Sequence, residues 1–134
     1  MRKYFAMFLL ALFAVSATPA VPQTEKVTVT GKLIDLFCYD PPTGANSGMD
    51  HVATGAAGQA GRQCAWSCAK WEAQPVGILQ TDGTFYQLAG PVLGLDNEKI
   101  APHITHTVTI TGTLADNGGI KTLTADDLKM ISKE

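Results

Sequence analysis

The sequence predicts a mainly β domain, a small antiparallel barrel or sandwich of five strands with one short cysteine-bearing helix. Three observations support this prediction. Apolar residues alternate with threonines in two segments, turn residues separate several short apolar runs, and one cysteine-containing stretch has helical spacing. Alternation with a period of two places one face of a strand in the core and the other in water, so these segments are expected to be half-buried strands.

The first predicted strand covers residues 26–39 and bends at Gly31. Valines alternate with threonines over residues 27–30, and the apolar pattern resumes at Leu33 after the glycine. A glycine inside a strand marks a bend or a close approach of another backbone. We therefore expect one long strand that pairs with different neighbours on the two sides of its bend.

A long loop and a short helix are expected to follow. Residues 43–61 are rich in Gly, Ala, Ser and Asn, which predicts an exposed loop. Residues 62–72 (RQCAWSCAKWE) predict a helix with Cys64, Cys68 and Trp71 at positions i, i+4 and i+7 on one face. Both cysteines of the helix should therefore point the same way.

A β-hairpin comes next. The apolar runs 76–80 and 84–88 flank a turn that contains Asp82-Gly83, and Asp-Gly supplies the positive φ angles of a tight hairpin turn. Residues 95–104 (LDNEKIAPHI) are compatible with a short helix. We expect this helix to link the third strand to the fourth.

The last third of the chain predicts two more strands joined by an Asn-Gly-Gly turn. Residues 106–114 alternate between apolar residues and threonines, residues 120–125 form the next strand, and 126–131 continue as a strand or one helical turn. Neighbouring residues in a regular strand point to opposite faces. Asp126 and Asp127 are therefore not expected to act on one substrate.

The predicted element order favours one particular β architecture. Five strands with a helical link between the third and fourth resemble an OB-fold, a small partly open Greek-key barrel. We therefore expect residues 26–134 to form one OB-like five-stranded antiparallel barrel that carries the short cysteine-bearing helix.

The N-terminus has the pattern of a secretory signal peptide. Two basic residues precede an apolar run at 4–15, and small residues then allow cleavage after Ala17 or Ala20. We expect residues 1–17 to be removed and 18–25 to be a linker, in a periplasmic or secreted protein. The apolar run is short for a bilayer span, and no cysteine lies near either cut, so we expect no stable membrane anchor.

The charge of the mature chain bears on its partners. Removing 17 of the 134 residues leaves 117, which is enough for one domain. Lys plus Arg falls from 10 to 8 against 12 Asp plus Glu, so the formal charge is −4. Binding to nucleic acid requires a basic face. We therefore expect a protein or small ligand as partner, and no nucleic acid.

Three cysteines remain after processing, and the sequence leaves their state open. One alternative is a disulfide that joins Cys38 to Cys64 or to Cys68, as is common in exported proteins, with the third cysteine left over. Cys64 and Cys68 are poor partners for each other, because Cβ atoms at i and i+4 of a helix are about 6 Å apart and a disulfide needs about 3.8 Å.

A metal site is the second alternative. Cys38, Cys64 and Cys68 supply three soft thiolates, and His51 in the loop supplies an imidazole as a fourth ligand. This donor set fits a closed tetrahedral zinc site, and thiolates near His or Met also suit Cu(I). The spacing C-x3-C does not choose between the two ions.

A reactive thiol is the third alternative. Cys64 near the N-terminus of the predicted helix, beside Arg62, has an electropositive setting of the kind that lowers a thiol pKa. This would make the chain a thiol redox protein or an enzyme. No serine has the context of a nucleophile elbow, so a serine hydrolase is not expected. We favour a binding module over an enzyme.

Several short motifs together resemble a known group of proteins. These are D-L-F-C-Y at 35–39, a following His, C-A-W-S-C-A-K at 64–70, D-G-T-F-Y-Q-L at 82–88 and V-T-I-T-G at 108–112. The chain is similar in these motifs to small exported bacterial proteins with an OB-like domain and a Cys…His…Cys-x3-Cys cluster. The resemblance implies a shared fold and cysteine cluster, and it implies no particular activity.

Overall fold

The computed structural model describes residues 24–48 and 64–133, and the chain is mainly β. The predicted signal peptide lies outside these residues. The main elements are β1 (Glu25–Asp35), α1 (Cys64–Trp71), β2 (Val76–Leu79), β3 (Phe85–Ala89), β4 (Thr107–Asn117) and β5 (Ile120–Ser132). No helix within the described part of the chain is both long and apolar enough to cross a bilayer.

The five strands form one mixed sheet that closes on itself in the order β1-β2-β3-β5-β4. Four of the pairings are antiparallel, whereas β3 and β5 are parallel. The prediction of a wholly antiparallel sheet is therefore wrong. Strand directions cannot alternate around a closed ring with an odd number of strands, so at least one pair must be parallel.

The first strand is bent and serves two neighbours, as its pattern indicates. Residues 25–32 pair with β4, and residues 32–35 pair with β2. A Cβ atom on Gly31 would collide with the carbonyl oxygen of Leu79, so a residue without a side chain is required at the bend. The strand ends at Asp35 rather than at Tyr39, because the backbone turns directly after Asp35.

The hairpin of β2 and β3 is confirmed. Its strands are antiparallel, Gln80 N–H donates to the carbonyl of Thr84 at 2.8 Å, and Gly83 has φ 85°. The link from β3 to β4 is helical, but it consists of three short 3-10 turns, at Pro91–Leu93, Leu95–Asn97 and Ala101–His103. Prolines at the start of two of these turns fit a connection that changes direction repeatedly.

The last strand is continuous and contains two extra residues relative to β4, Asp126 and Ile131. It runs without a helical turn from Ile120 to Ser132, and its register with β4 shifts where Thr111 faces Asp127 and Gly112 faces Ala125. Asp126 is therefore a β-bulge. The bulge bends β5, which helps a small sheet to close.

Apolar residues from every strand and from α1 fill the interior. Val29, Ile78 and Ile110 are buried in the sheet, and Ala65 and Ala69 present the buried face of α1. The threonines that alternate with the core valines of β1 lie outside, where Thr28 and Thr30 pair with hydroxyls of β4 at 3.2 and 2.9 Å. The short alanine face allows α1 to approach the sheet closely.

Candidate metal centre

The turn after β1 places Cys38. A carboxylate oxygen of Asp35 accepts the N–H of Phe37 at 3.0 Å, and the N–H of Tyr39 donates to the carbonyl of Asp35 at 3.2 Å. An aspartate that accepts a hydrogen bond from the residue two positions on stabilises a tight turn. The amide of Asn46 donates to the carbonyl of Cys38 at 3.0 Å. The position of Cys38 is therefore fixed by residues before and after it in the chain.

The helix α1 carries the other two cysteines, and a buried asparagine fixes its C-terminal end. Nδ2 of Asn97 donates to the carbonyls of Ala69 at 3.1 Å and of Gln74 at 2.8 Å. The helix stops where Ala73 adopts φ 49°, and Gln74 N–H then donates to the carbonyl of Cys68 at 3.0 Å. These bonds satisfy carbonyl groups that a helix end leaves without partners.

The turn and the helix bring the three cysteines together. The sulfur atoms of Cys38, Cys64 and Cys68 all lie within 4.8 Å of one another. All three are free thiols, so the disulfide alternative, Cys38 to Cys64 or to Cys68, is not what the structure contains. For Cys64 and Cys68 the reason is the helix itself, which holds the two Cβ atoms too far apart for a bond.

The carboxylate of Asp35 places a negative charge close to the thiols of Cys38 and Cys68. Burial raises the pKa of the Cys68 thiol to about 12, and the charge of Asp35 and the neighbouring thiols add to this rise. Burial also raises the pKa of Cys38, again with Asp35 as the strongest charged contributor. A bound cation inverts such shifts and deprotonates a coordinating thiol. The cluster is therefore suited to a cation and poorly suited to free thiolates.

Asp35 belongs to this site, although the sequence did not single it out. Its side chain is fully buried, and its carboxylate is a hydrogen-bond partner of the Cys38 thiol. Acidic side chains are almost never fully buried unless they are paired. The signal in the sequence was an aspartate inside the apolar run 33–37 (LIDLF), three residues before a cysteine.

The predicted fourth ligand cannot be placed. His51 lies outside the described residues, as does Arg62, which the reactive-thiol alternative invoked. Within the described chain, Cys38, Cys64 and Cys68 are the one group of His, Cys, Asp or Glu side chains close enough to share an ion.

Two neighbouring aspartates border a surface groove elsewhere on the molecule. Asp126 and Asp127 both line a surface groove next to His103. The bulge at Asp126 interrupts the alternation of side chains, so two neighbours can face the same side. Asp126 also lies 3.4 Å from the ammonium of Lys26.

The two tryptophans of α1 differ in their environment. Trp66 is partly buried against the core, whereas Trp71 is 61% exposed. The two rings meet edge-to-face, with 5.7 Å between their centroids. Trp66 therefore packs against the core, and Trp71 does not. Helical spacing alone overstates how far the apolar face of α1 extends.

No protein-family model matches the chain, and no curated protein or solved structure matches it. Inference about function therefore depends on the geometry of the three cysteines.

Proposed function

We propose that this protein is a small exported binding module that holds one metal ion, Zn²⁺ or Cu⁺, on the sulfur atoms of Cys38, Cys64 and Cys68. The observation that carries the proposal is the approach of these three atoms to within 4.8 Å of one another. They come from two elements separated by a long stretch of sequence, so local spacing alone does not produce the cluster.

The cluster has dimensions that a metal ion can use. Zinc–sulfur bonds of about 2.3 Å in a tetrahedral site place the sulfur atoms about 3.8 Å apart. Small side-chain rotations can bring atoms that lie within 4.8 Å to that separation. A fourth ligand completes a tetrahedral site, and we keep His51 in that role because it lies between Cys38 and Cys64 in the sequence.

The remaining parts of the proposal concern fold family, location and partner. We assign the closed five-stranded sheet to an OB-like barrel, since a five-stranded Greek-key barrel is the architecture of that fold. Export to the periplasm or medium is supported by the N-terminal sequence pattern. The acidic mature chain favours a protein or small ligand over nucleic acid as partner.

The electrostatics of the site favour metal binding over thiol catalysis. Reactive cysteines lie in electropositive surroundings that lower the thiol pKa. The strongest charged neighbour of both Cys38 and Cys68 is instead the Asp35 carboxylate, and both pKa values are raised. These shifts argue against Cys38 and Cys68 as a reactive cysteine. We place the thiol redox function, which depends on Cys64 alone, second to a metal site that uses all three thiols.

A thiol count combined with elemental analysis tests the proposal. Mature protein is purified from the exported fraction without chelator. We expect about one zinc or copper per chain and three thiols that react only after a chelator removes the ion. One free thiol with no metal would instead indicate a disulfide. Rapid alkylation of one cysteine in metal-free protein would indicate the redox alternative.

A further inference from the structure

A buried carboxylate lies against the cysteine cluster without being one of its three sulfur ligands. Asp35 has 0% exposure at the end of β1. One of its oxygens accepts the Phe37 N–H at 3.0 Å, and its carboxylate is hydrogen-bonded to the Cys38 thiol. The side chain thus fixes the turn that presents Cys38 and also brings a negative charge to the site.

We propose that Asp35 is a positioning residue of the metal centre and that its charge makes the centre selective for a divalent ion over a monovalent one. This inference rests on the proposed function. Three thiolates and one carboxylate carry four formal negative charges, of which Zn²⁺ neutralises two and Cu⁺ only one. Uncompensated charge is costly in a partly buried site, so the doubly charged ion is favoured.

The charge effect has a signature that a purely structural effect lacks. The Coulomb energy between a fixed carboxylate and an ion is proportional to the charge of the ion. Both ions displace the protons of the same three thiols, so the repulsion between Asp35 and the thiolates cancels when the two ions are compared. Removing the charge of Asp35 should therefore lower the ratio of the Zn²⁺ affinity to the Cu⁺ affinity. Displacement of Cys38 without a charge effect has no reason to change this ratio.

The experiment compares Asp35→Asn with the wild type in reduced, metal-free full-length protein. Asparagine retains an oxygen that can accept the Phe37 N–H, so the turn is preserved while the charge is lost. Zn²⁺ and Cu⁺ affinities are measured separately by competition with a chromophoric chelator, the latter without oxygen. We expect the ratio of the Zn²⁺ affinity to the Cu⁺ affinity to fall by about 3- to 10-fold in Asp35→Asn.

Asp40→Asn is the matched control. Asp40 lies in the same loop and accepts the Thr43 hydroxyl at 2.6 Å, and it is not among the groups that shift the pKa of Cys38 or Cys68. We expect this variant to bind both ions as the wild type does. Asp35→Ser, whose hydroxyl can also accept the Phe37 N–H, provides the same comparison if Asp35→Asn does not fold.

The outcomes separate the two proposals. If the wild type binds metal, a ratio of Zn²⁺ to Cu⁺ affinity that is unchanged or higher in Asp35→Asn would overturn the role of the Asp35 charge and leave the metal centre intact. Failure of the wild type to bind either ion would overturn the proposed function, and the inference about Asp35 with it.

Discussion

Asn97 offers a direct test of how the cysteine-bearing helix is held. Its amide donates two hydrogen bonds, to the carbonyls of Ala69 and Gln74, and its side chain is buried. Its backbone has φ 61°, a left-handed conformation that glycine also accepts without strain. Asn97→Gly should therefore remove the two hydrogen bonds without straining the backbone.

The magnitude follows from these contacts. Each hydrogen bond contributes about 1 kcal/mol to stability, and the added freedom of glycine in the unfolded chain contributes up to about 1 kcal/mol more. We expect the free energy of unfolding of reduced, metal-free Asn97→Gly to fall by about 2 to 3 kcal/mol in a urea titration. Metal affinity should fall as well, because the helix that carries Cys64 and Cys68 loses its anchor.

Asp96→Gly is the control for this measurement. Asp96 also has positive φ, at 49°, but it is exposed and lies beside Asn97. Asp96→Gly adds the same freedom to the unfolded chain but removes no buried hydrogen bond. We therefore expect its free energy of unfolding to change by no more than about 1 kcal/mol. A loss in Asn97→Gly no larger than that in Asp96→Gly would refute the role of the amide.

Three further predictions concern the sheet and the thiols. Gly31→Ala should lower the free energy of unfolding by about 1 to 3 kcal/mol in a urea titration, because the added Cβ atom collides with the backbone of Leu79. A free energy of unfolding equal to that of the wild type would contradict the close approach of the Gly31 and Leu79 backbones. Because the pKa of Cys68 is raised, this thiol contributes to the stability of the metal-free protein, fully below pH 9.0 and less and less as pH rises towards about 12. In thermal melts, Cys68→Ala should therefore lose less stability at alkaline pH than the wild type does. Cys38→Ser should weaken Zn²⁺ binding by at least about 10-fold in a chelator competition, whereas Ser67→Ala on α1 should not; equal effects of the two would contradict a specific cluster.

Local patterns in the sequence predicted most of the strands and their turns. Alternation along β1 and β4 reflects a core on one side and water on the other, and the Asp82-Gly83 turn fixes the hairpin by its backbone conformation alone. Both signals depend on neighbouring residues, which the sequence displays directly. They do not show which strands pair when the sheet closes, so the identity of the parallel pair, β3 with β5, could not be predicted.

The candidate site was predicted in part for the same reason. Helical spacing placed Cys64 and Cys68 on one face, but the approach of Cys38 depends on the turn at Asp35, which shortens β1 from its apparent end at Tyr39. The anchor at Asn97 is a tertiary contact across 28 residues and has no local signature. Sequence reasoning therefore found the three clustered cysteines and missed the residues that position them.

The extended X-ray absorption fine structure of the bound metal tests the central claim most directly. On mature protein loaded with one equivalent of Zn²⁺, we predict a first shell of three sulfur atoms at about 2.3 Å and one nitrogen or oxygen at about 2.0 to 2.1 Å. A shell of nitrogen and oxygen alone, or one with a single sulfur, would contradict a metal centre built on Cys38, Cys64 and Cys68.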